Sequence, residues 1–151
     1  MKKIIALTFL TLASQVFANP YEQLDNTLEK ILKTERRSGI SSTGKKCEVS
    51  KYGAMVMVID LSKGCIGENN TIGTECLSQF LYNQSSENMS IKELKISEKL
   101  IIAEIKSKDT EEYASAITGK IEIEIGKNTL VRVSSKKKLF GGYKRVLDCI
   151  I

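Results

Sequence analysis

Cysteine is the residue type with the clearest chemistry in this chain, which has four of them and no C-x-x-C pair. A zinc site would need close cysteine pairs or histidines, and the chain contains no histidine. A redox dithiol, with Cys76 near a helix start, is an alternative. Four cysteines allow three disulfide pairings. We favour Cys65–Cys76, which closes a loop rich in glycine and asparagine, together with Cys47–Cys149, which ties the last strand to the first.

The absence of histidine also narrows the catalytic options. It removes Ser-His-Asp and Cys-His arrangements and the usual general base near neutral pH. A pair of carboxylates would remain, as in glycosidases. Glu122 and Glu124 share one face of a predicted strand, where same-face neighbours lie about 7 Å apart, and Asp60 follows an apolar segment. An exposed strand face accounts for both glutamates more simply, so we expect no catalytic, metal or cofactor site.

Basic and aromatic residues gather near the end of the chain, on both sides of a Gly-Gly pair at positions 141 and 142. Such a hairpin tip can hold phosphate groups and stack on a base or sugar, so the cluster predicts an anion-binding site. The competing interpretation is a solvated turn whose lysines prevent edge-to-edge pairing of strands. The predicted binding residues are Lys136, Lys137, Lys138, Phe140, Tyr143, Lys144 and Arg145.

The first eighteen residues have the pattern of a secretory signal. Lys2 and Lys3 form a positive start, residues 4–12 are apolar, and Ala18 precedes a predicted cleavage point before Asn19. The apolar run is too short to span a bilayer, which takes about 20 residues. We therefore expect a protein without a transmembrane segment, exported to the periplasm or the medium, where disulfides persist.

Residues 19–151 have the length of a single domain and a pattern of the α+β class. An amphipathic helix is predicted over residues 20–37, capped by Asn19 and ended by Gly39, and a short helix over residues 74–82. Consecutive strands with turn signals between them predict an antiparallel meander of about five to seven strands, on which the first helix packs. The predicted strands cover residues 47–52, 54–62, 91–96, 100–106, 117–125, 129–135 and 143–150.

Charge and composition favour a globular protein that binds a partner. Formal net charge is +5, and it falls to +3 when the two lysines of the predicted signal are removed, which is modest for a dedicated nucleic-acid binder. The leading hypothesis is a small non-enzymatic exported protein that binds another exported protein, as an inhibitor or immunity-type protein does. The first alternative is binding of an anionic surface, either nucleic acid or lipopolysaccharide, through the hairpin at residues 136–145. The second is a carboxylate-dependent hydrolase.

Overall fold

In the part of the chain that the computed structural model describes, residues 19–33, 36–83, 89–107, 117–137 and 143–151, one α-helix packs on one nine-stranded antiparallel sheet. The predicted signal at residues 1–18 lies outside this part. The α+β class is confirmed, but nine strands exceed the predicted five to seven. The elements are α1 (Pro20–Leu32), β1 (Arg36–Ile40), β2 (Lys46–Tyr52), β3 (Met55–Asp60), β4 (Leu77–Leu81), β5 (Met89–Ile96), β6 (Leu100–Ser107), β7 (Ile117–Glu124), β8 (Leu130–Lys137) and β9 (Tyr143–Ile150).

The sheet consists of two meanders joined edge to edge. Its strand order is β4-β3-β2-β1-β9-β8-β7-β6-β5, so the first and last strands are neighbours in the middle of the sheet. Their pairing is short and antiparallel, and it joins Ile40 to Ile150. A meander predicted from consecutive strands therefore describes each half of the sheet, and the junction between β1 and β9 is an additional long-range pairing.

The sheet folds over so that β4 packs across β7 and β8. Gly119 on β7 permits this close approach, because a Cβ there would lie 3.1 Å from the Gln79 carbonyl oxygen on β4. The residues between the facing halves are fully buried and apolar, and they include Val58, Phe80 and Ile121. The alternating isoleucines that predicted β7 thus supply one wall of the core.

Helix α1 packs on this core through Leu24, Leu28 and Leu32, which recur every four residues and are buried. Asn19 caps the helix, as predicted, because its side chain accepts the Tyr21 N–H at 3.0 Å. The predicted end at residue 37 is wrong. The helix ends at Leu32, and Lys33 turns into the left-handed region with a φ of 51°. The chain from residue 36 onward then pairs with β2, and this tertiary pairing outweighs its local helical preference.

Two further local predictions are wrong for the same kind of reason. Gly39 does not end a helix but lies in β1, where a Cβ would overlap the Ile150 carbonyl. Residues 74–82 do not form a helix. A 3₁₀ turn over Thr74–Cys76 leads into β4, which pairs with β3. The helix-like spacing of apolar residues at 77, 80 and 81 arises because both faces of β4 are at least partly buried.

Both disulfides have the pairings that the sequence favoured, Cys47–Cys149 and Cys65–Cys76. The first connects β2 to β9 across the intervening β1, and its Cys149 sulfur would lie 3.0 Å from a Cβ placed on Gly39. We call this bridge the seam disulfide, because it spans the junction of the two meanders. The second closes a loop between β3 and β4.

Candidate functional site

The odd-numbered strands all finish at one end of the sheet, which we call the loop end. Strand registers place the connections at residues 41–45, 61–76, 97–99 and 125–129 at this end. Helix α1 contacts the opposite end, the helix end, where Tyr21 donates a hydrogen bond to the Met89 carbonyl at 3.2 Å. Loops held at one end of a rigid sheet are a common place for binding residues, so the loop end is the first surface to consider.

Exposed large apolar side chains concentrate at the loop end. The described residues include seven of them, and only Tyr52 lies at the helix end. Ile40 and Ile150 are 49% and 36% exposed and face each other across the β1–β9 junction. Ile66, Ile72 and Leu100 also lie at the loop end, whereas Val146 lies midway along β9, opposite Ser134.

A row of paired residues crosses five strands on the outer face of the sheet at this end. The row crosses strands β1, β9, β8, β7 and β6, which are neighbours in that order in the sheet. Its members, in the same order, are Ile40, Ile150, Leu130, Glu124 and Leu100. Residues that pair across antiparallel strands point to the same face. Three consecutive positions, Ile40, Ile150 and Leu130, are apolar, and Glu124 separates them from Leu100. We call these five positions the apolar row.

The loop at residues 65–76, the disulfide loop, adds two of the exposed isoleucines. Ile66 and Ile72 form an antiparallel bridge and are 41% and 40% exposed. Inside this bridge the Gly67 N–H donates to the Thr71 carbonyl at 2.7 Å. Outside it the Gly73 N–H donates to the Cys65 carbonyl at 3.1 Å. The loop is therefore a small hairpin closed by a covalent bond at its base.

A cleft of about 380 Å³ lies beside the seam disulfide at the loop end. Its walls include Asp60, which the sequence singled out, and Asp148. The Ser42 N–H donates to Asp148 Oδ1 at 3.0 Å, and the Lys45 ammonium lies 3.5 Å from Asp60 Oδ2. Burial would raise the pKa of Asp60, but hydrogen bonds from Ser62 and the charge of Lys45 outweigh it and lower the pKa. An aspartate of this kind stays ionised and accepts hydrogen bonds, whereas a general acid needs a raised pKa.

A second polar group joins α1 to the β2–β3 turn at the helix end. The buried Tyr82 hydroxyl donates to Asp25 Oδ1 at 2.6 Å, and Lys51 Nζ lies 3.0 Å from the same oxygen. Burial together with the Asp25 carboxylate raises the pKa of Tyr82 far above its usual value. Burial also acts to raise the pKa of Asp25, but the bonds from Tyr82 and Lys51 outweigh it, and this pKa is lowered. The group holds the helix on the sheet.

The predicted basic cluster is only partly described. Lys138 and Phe140 lie outside the described residues. The backbone register pairs Lys136 with Lys144 and Lys137 with Tyr143 at the helix end of β8 and β9. Arg145 has a structural contact, because its Nη1 donates to the Leu77 carbonyl on β4 at 3.1 Å.

The predicted carboxylate pair lies on the outer sheet face and not in the cleft. Glu122 lies 3.1 Å from the Lys120 ammonium and 3.7 Å from the Arg132 guanidinium. Glu124 belongs to the apolar row and is exposed. The two glutamates therefore have the polar-outward positions that the alternation of β7 implies.

Sequence reasoning missed the loop end as a surface. The signal for its disulfide loop was available, since two isoleucines flank a Gly-Glu-Asn-Asn-Thr turn between two cysteines. The apolar row had no such signal. Its members come from five strands and become neighbours only through the register, so no local pattern relates Ile40 to Leu100.

No protein-family model matches the chain, and neither a curated protein nor a solved structure shows significant similarity to it. Among the described residues, no helix is long and apolar enough to cross a membrane. The same residues contain no group of three or more cysteine, aspartate or glutamate side chains placed to hold a metal ion.

Proposed function

We propose that this chain is an exported, non-enzymatic protein that binds another exported protein through its loop end, in the manner of an inhibitor or immunity-type protein. The observation that carries the proposal is the clustering of exposed apolar side chains. Five of the seven that are exposed in the described part of the chain lie at one end of the sheet. Concentrated apolar patches with polar surroundings are typical of protein interaction sites.

The surroundings of the apolar row support a protein partner. Glu122 with Lys120 and Arg132 forms ion pairs on the same outer face, so apolar and charged rows lie side by side. An apolar centre with a polar rim is the usual composition of a protein interface. The export part of the proposal draws on the sequence of residues 1–18 and on the two disulfides, which persist in oxidising compartments.

Capture from the exported fraction of the source cells tests the binding proposal. An affinity tag is placed directly before Asn19, because the other terminus follows β9 and lies at the loop end. The wild-type chain should retain a specific protein at about 0.15 M salt. The double variant Ile40→Ser/Ile150→Ser should bind that protein on the order of tenfold more weakly.

The matched control is Tyr52→Ser, which removes an apolar side chain of similar exposure, 39%, from the helix end. This control should bind like the wild type, and urea unfolding should show that all variants are folded. If the double variant Ile40→Ser/Ile150→Ser retains as much of the captured protein as the wild type does, the result contradicts the proposal. An intact mass that includes residues 1–18, with all four thiols free, would contradict export.

A second candidate function is binding of an anionic polymer or lipopolysaccharide by the hairpin at residues 136–145. It is favoured by the backbone register, which places the basic positions Lys136 and Lys144 opposite each other on neighbouring strands. The test is binding to heparin and to lipopolysaccharide by the variant Lys136→Gln/Lys144→Gln, with Arg145 left intact because it contacts β4. The control variant, Lys99→Gln/Lys127→Gln, removes two lysines at the loop end. If both variants lose the same affinity for heparin and lipopolysaccharide, the result argues against a site at the hairpin.

A further inference from the structure

We infer that the disulfide loop is the part of the loop end that enters the partner, and that the partner offers a concave protein site with apolar walls and a cationic base. This inference rests on the proposed function and assigns the recognition element within it. Three features of residues 65–76 carry it: a fixed backbone, two exposed isoleucines at the sides, and an acidic tip.

The backbone of the disulfide loop is held at several levels. The Cys65–Cys76 bond closes its base, and the Ile66–Ile72 bridge continues the pairing above it. At the tip, Thr71 Oγ1 donates to the Glu68 carbonyl at 3.1 Å. A loop fixed in this way loses little further freedom when it binds, which favours affinity.

The turn at the tip uses residues that tolerate an unusual backbone. Asn69 and Asn70 have φ values of 62° and 58°, in the left-handed region that asparagine visits more readily than most residues. Residues 66–72 are all exposed, although the cysteine at the end of the loop is 1% exposed. The loop is therefore anchored at Cys76 in the core and projects its tip into solvent.

The two isoleucines have no role in the core that explains their type. They belong to neither the buried core cluster nor the apolar residues packed against it. Because they are bridge partners, they lie on the same side of the hairpin. Polar residues would serve a solvated hairpin equally well, whereas two branched apolar side chains suit contact with apolar walls.

Charge defines the other part of the partner's site. Residues 65–76 contain Glu68 and Glu75 and no lysine or arginine, in a chain whose formal net charge is +5. Among the described residues, no cation forms a salt bridge with Glu68. A projecting acid between two apolar side chains is complementary to a recess with lysine or arginine at its base. The same acids would repel nucleic acid or lipopolysaccharide, so the structure favours a protein as occupant.

The test uses the full exported chain with a photoreactive phenylalanine derivative at position 66 or 72, and the same derivative at position 52 as control. Irradiation should join positions 66 and 72, but not 52, to one protein, at a peptide that contains lysine or arginine. Glu68→Lys should weaken binding of that protein about tenfold or more. Glu22→Lys, an equal charge change at an exposed acid in the first turn of α1, away from the loop end, should leave binding unchanged.

The outcomes separate this inference from the proposed function. If Ile40→Ser/Ile150→Ser loses the partner while Glu68→Lys retains it, the loop end binds a protein but the disulfide loop does not enter it. If Glu22→Lys and Glu68→Lys weaken binding equally, the charge effect is not local and the inference fails. If the wild type retains no protein, both proposals fall. Mass spectrometry of the Cys65–Cys76 linked peptide checks that each variant has a closed loop.

Discussion

Removal of the seam disulfide should destabilise this protein more than removal of the loop disulfide. The two perturbations are Cys47→Ala/Cys149→Ala and Cys65→Ala/Cys76→Ala, both made in the full chain. In the chain-entropy description, a cross-link stabilises by restricting the unfolded chain, and its effect grows with the logarithm of the closed length. The sequence separations are 102 residues for the seam disulfide and 11 for the loop disulfide.

These lengths give about 4.7 kcal/mol for the seam disulfide and about 2.8 kcal/mol for the loop disulfide at 25 °C. The expected difference in the free energy of unfolding is thus about 2 kcal/mol. Packing acts in the same direction. Cys47 and Cys149 are 2% and 0% exposed, whereas in the other bridge Cys76 is 1% exposed and Cys65 is half-buried. The seam substitution therefore removes two fully buried sulfurs and the loop substitution one.

Urea unfolding without reductant, followed by circular dichroism, measures both variants against the oxidised wild type. With a typical stability of about 5–15 kcal/mol, the seam variant should lose a third or more of the total. A loop variant that loses as much free energy as the seam variant, or more, would refute this reasoning. It would show that local contacts of residues 65–76, and not the restriction of the unfolded chain, dominate.

Two further outcomes follow from close contacts in the structure. Gly39→Ala places a methyl group against the Ile150 carbonyl and should lower the free energy of unfolding in urea by about 2 kcal/mol or more. The control Gly126→Ala, where a Cβ has ordinary space, should lower it by about 0.5 kcal/mol or less. Equal losses in the two variants would contradict the tight β1–β9 junction. Tyr82→Phe removes the bond to Asp25 and should cost about 1–2 kcal/mol at pH 7. Because the folded protein raises the pKa of Tyr82, its contribution is complete below about pH 10, the unfolded value. Above that pH the unfolded tyrosine ionises first, so the stability difference between wild type and variant should shrink, and a constant difference at pH 7 and pH 11 would contradict the assignment.

The features that could be predicted from the sequence depend on local patterns. The alternation of isoleucines identified β7, the four-residue spacing of leucines identified α1, and the positions of the cysteines led to the correct pairings. Each of these signals lies within one element or rests on a single residue type. Ile121 and Ile123 of β7, for example, are buried because every second position faces the core.

The missed features depend on pairings between distant segments. β1 has the sequence Arg-Arg-Ser-Gly-Ile, which has little strand character by itself, and it becomes a strand because β2 and β9 lie on its two sides. The binding surface that we propose has the same origin. The registers of β6 to β9 align Leu100 with Ile150, and Ile40 joins this row only when the two meanders meet, so their common exposure could not be predicted from the linear sequence.

The seam disulfide has a consequence for how the chain matures. On the proposed export route, Cys47 leaves the translocation channel about a hundred residues before Cys149, and Cys65 and Cys76 emerge between them. Cys65 can therefore pair with Cys76 as soon as both have emerged, whereas any early bond from Cys47 is non-native and has to be exchanged before Cys47 can pair with Cys149. β1 must also occupy its place before the last bond closes, because the bond passes directly over Gly39. Of the two bonds, the seam disulfide is therefore the one whose formation waits for the end of the chain.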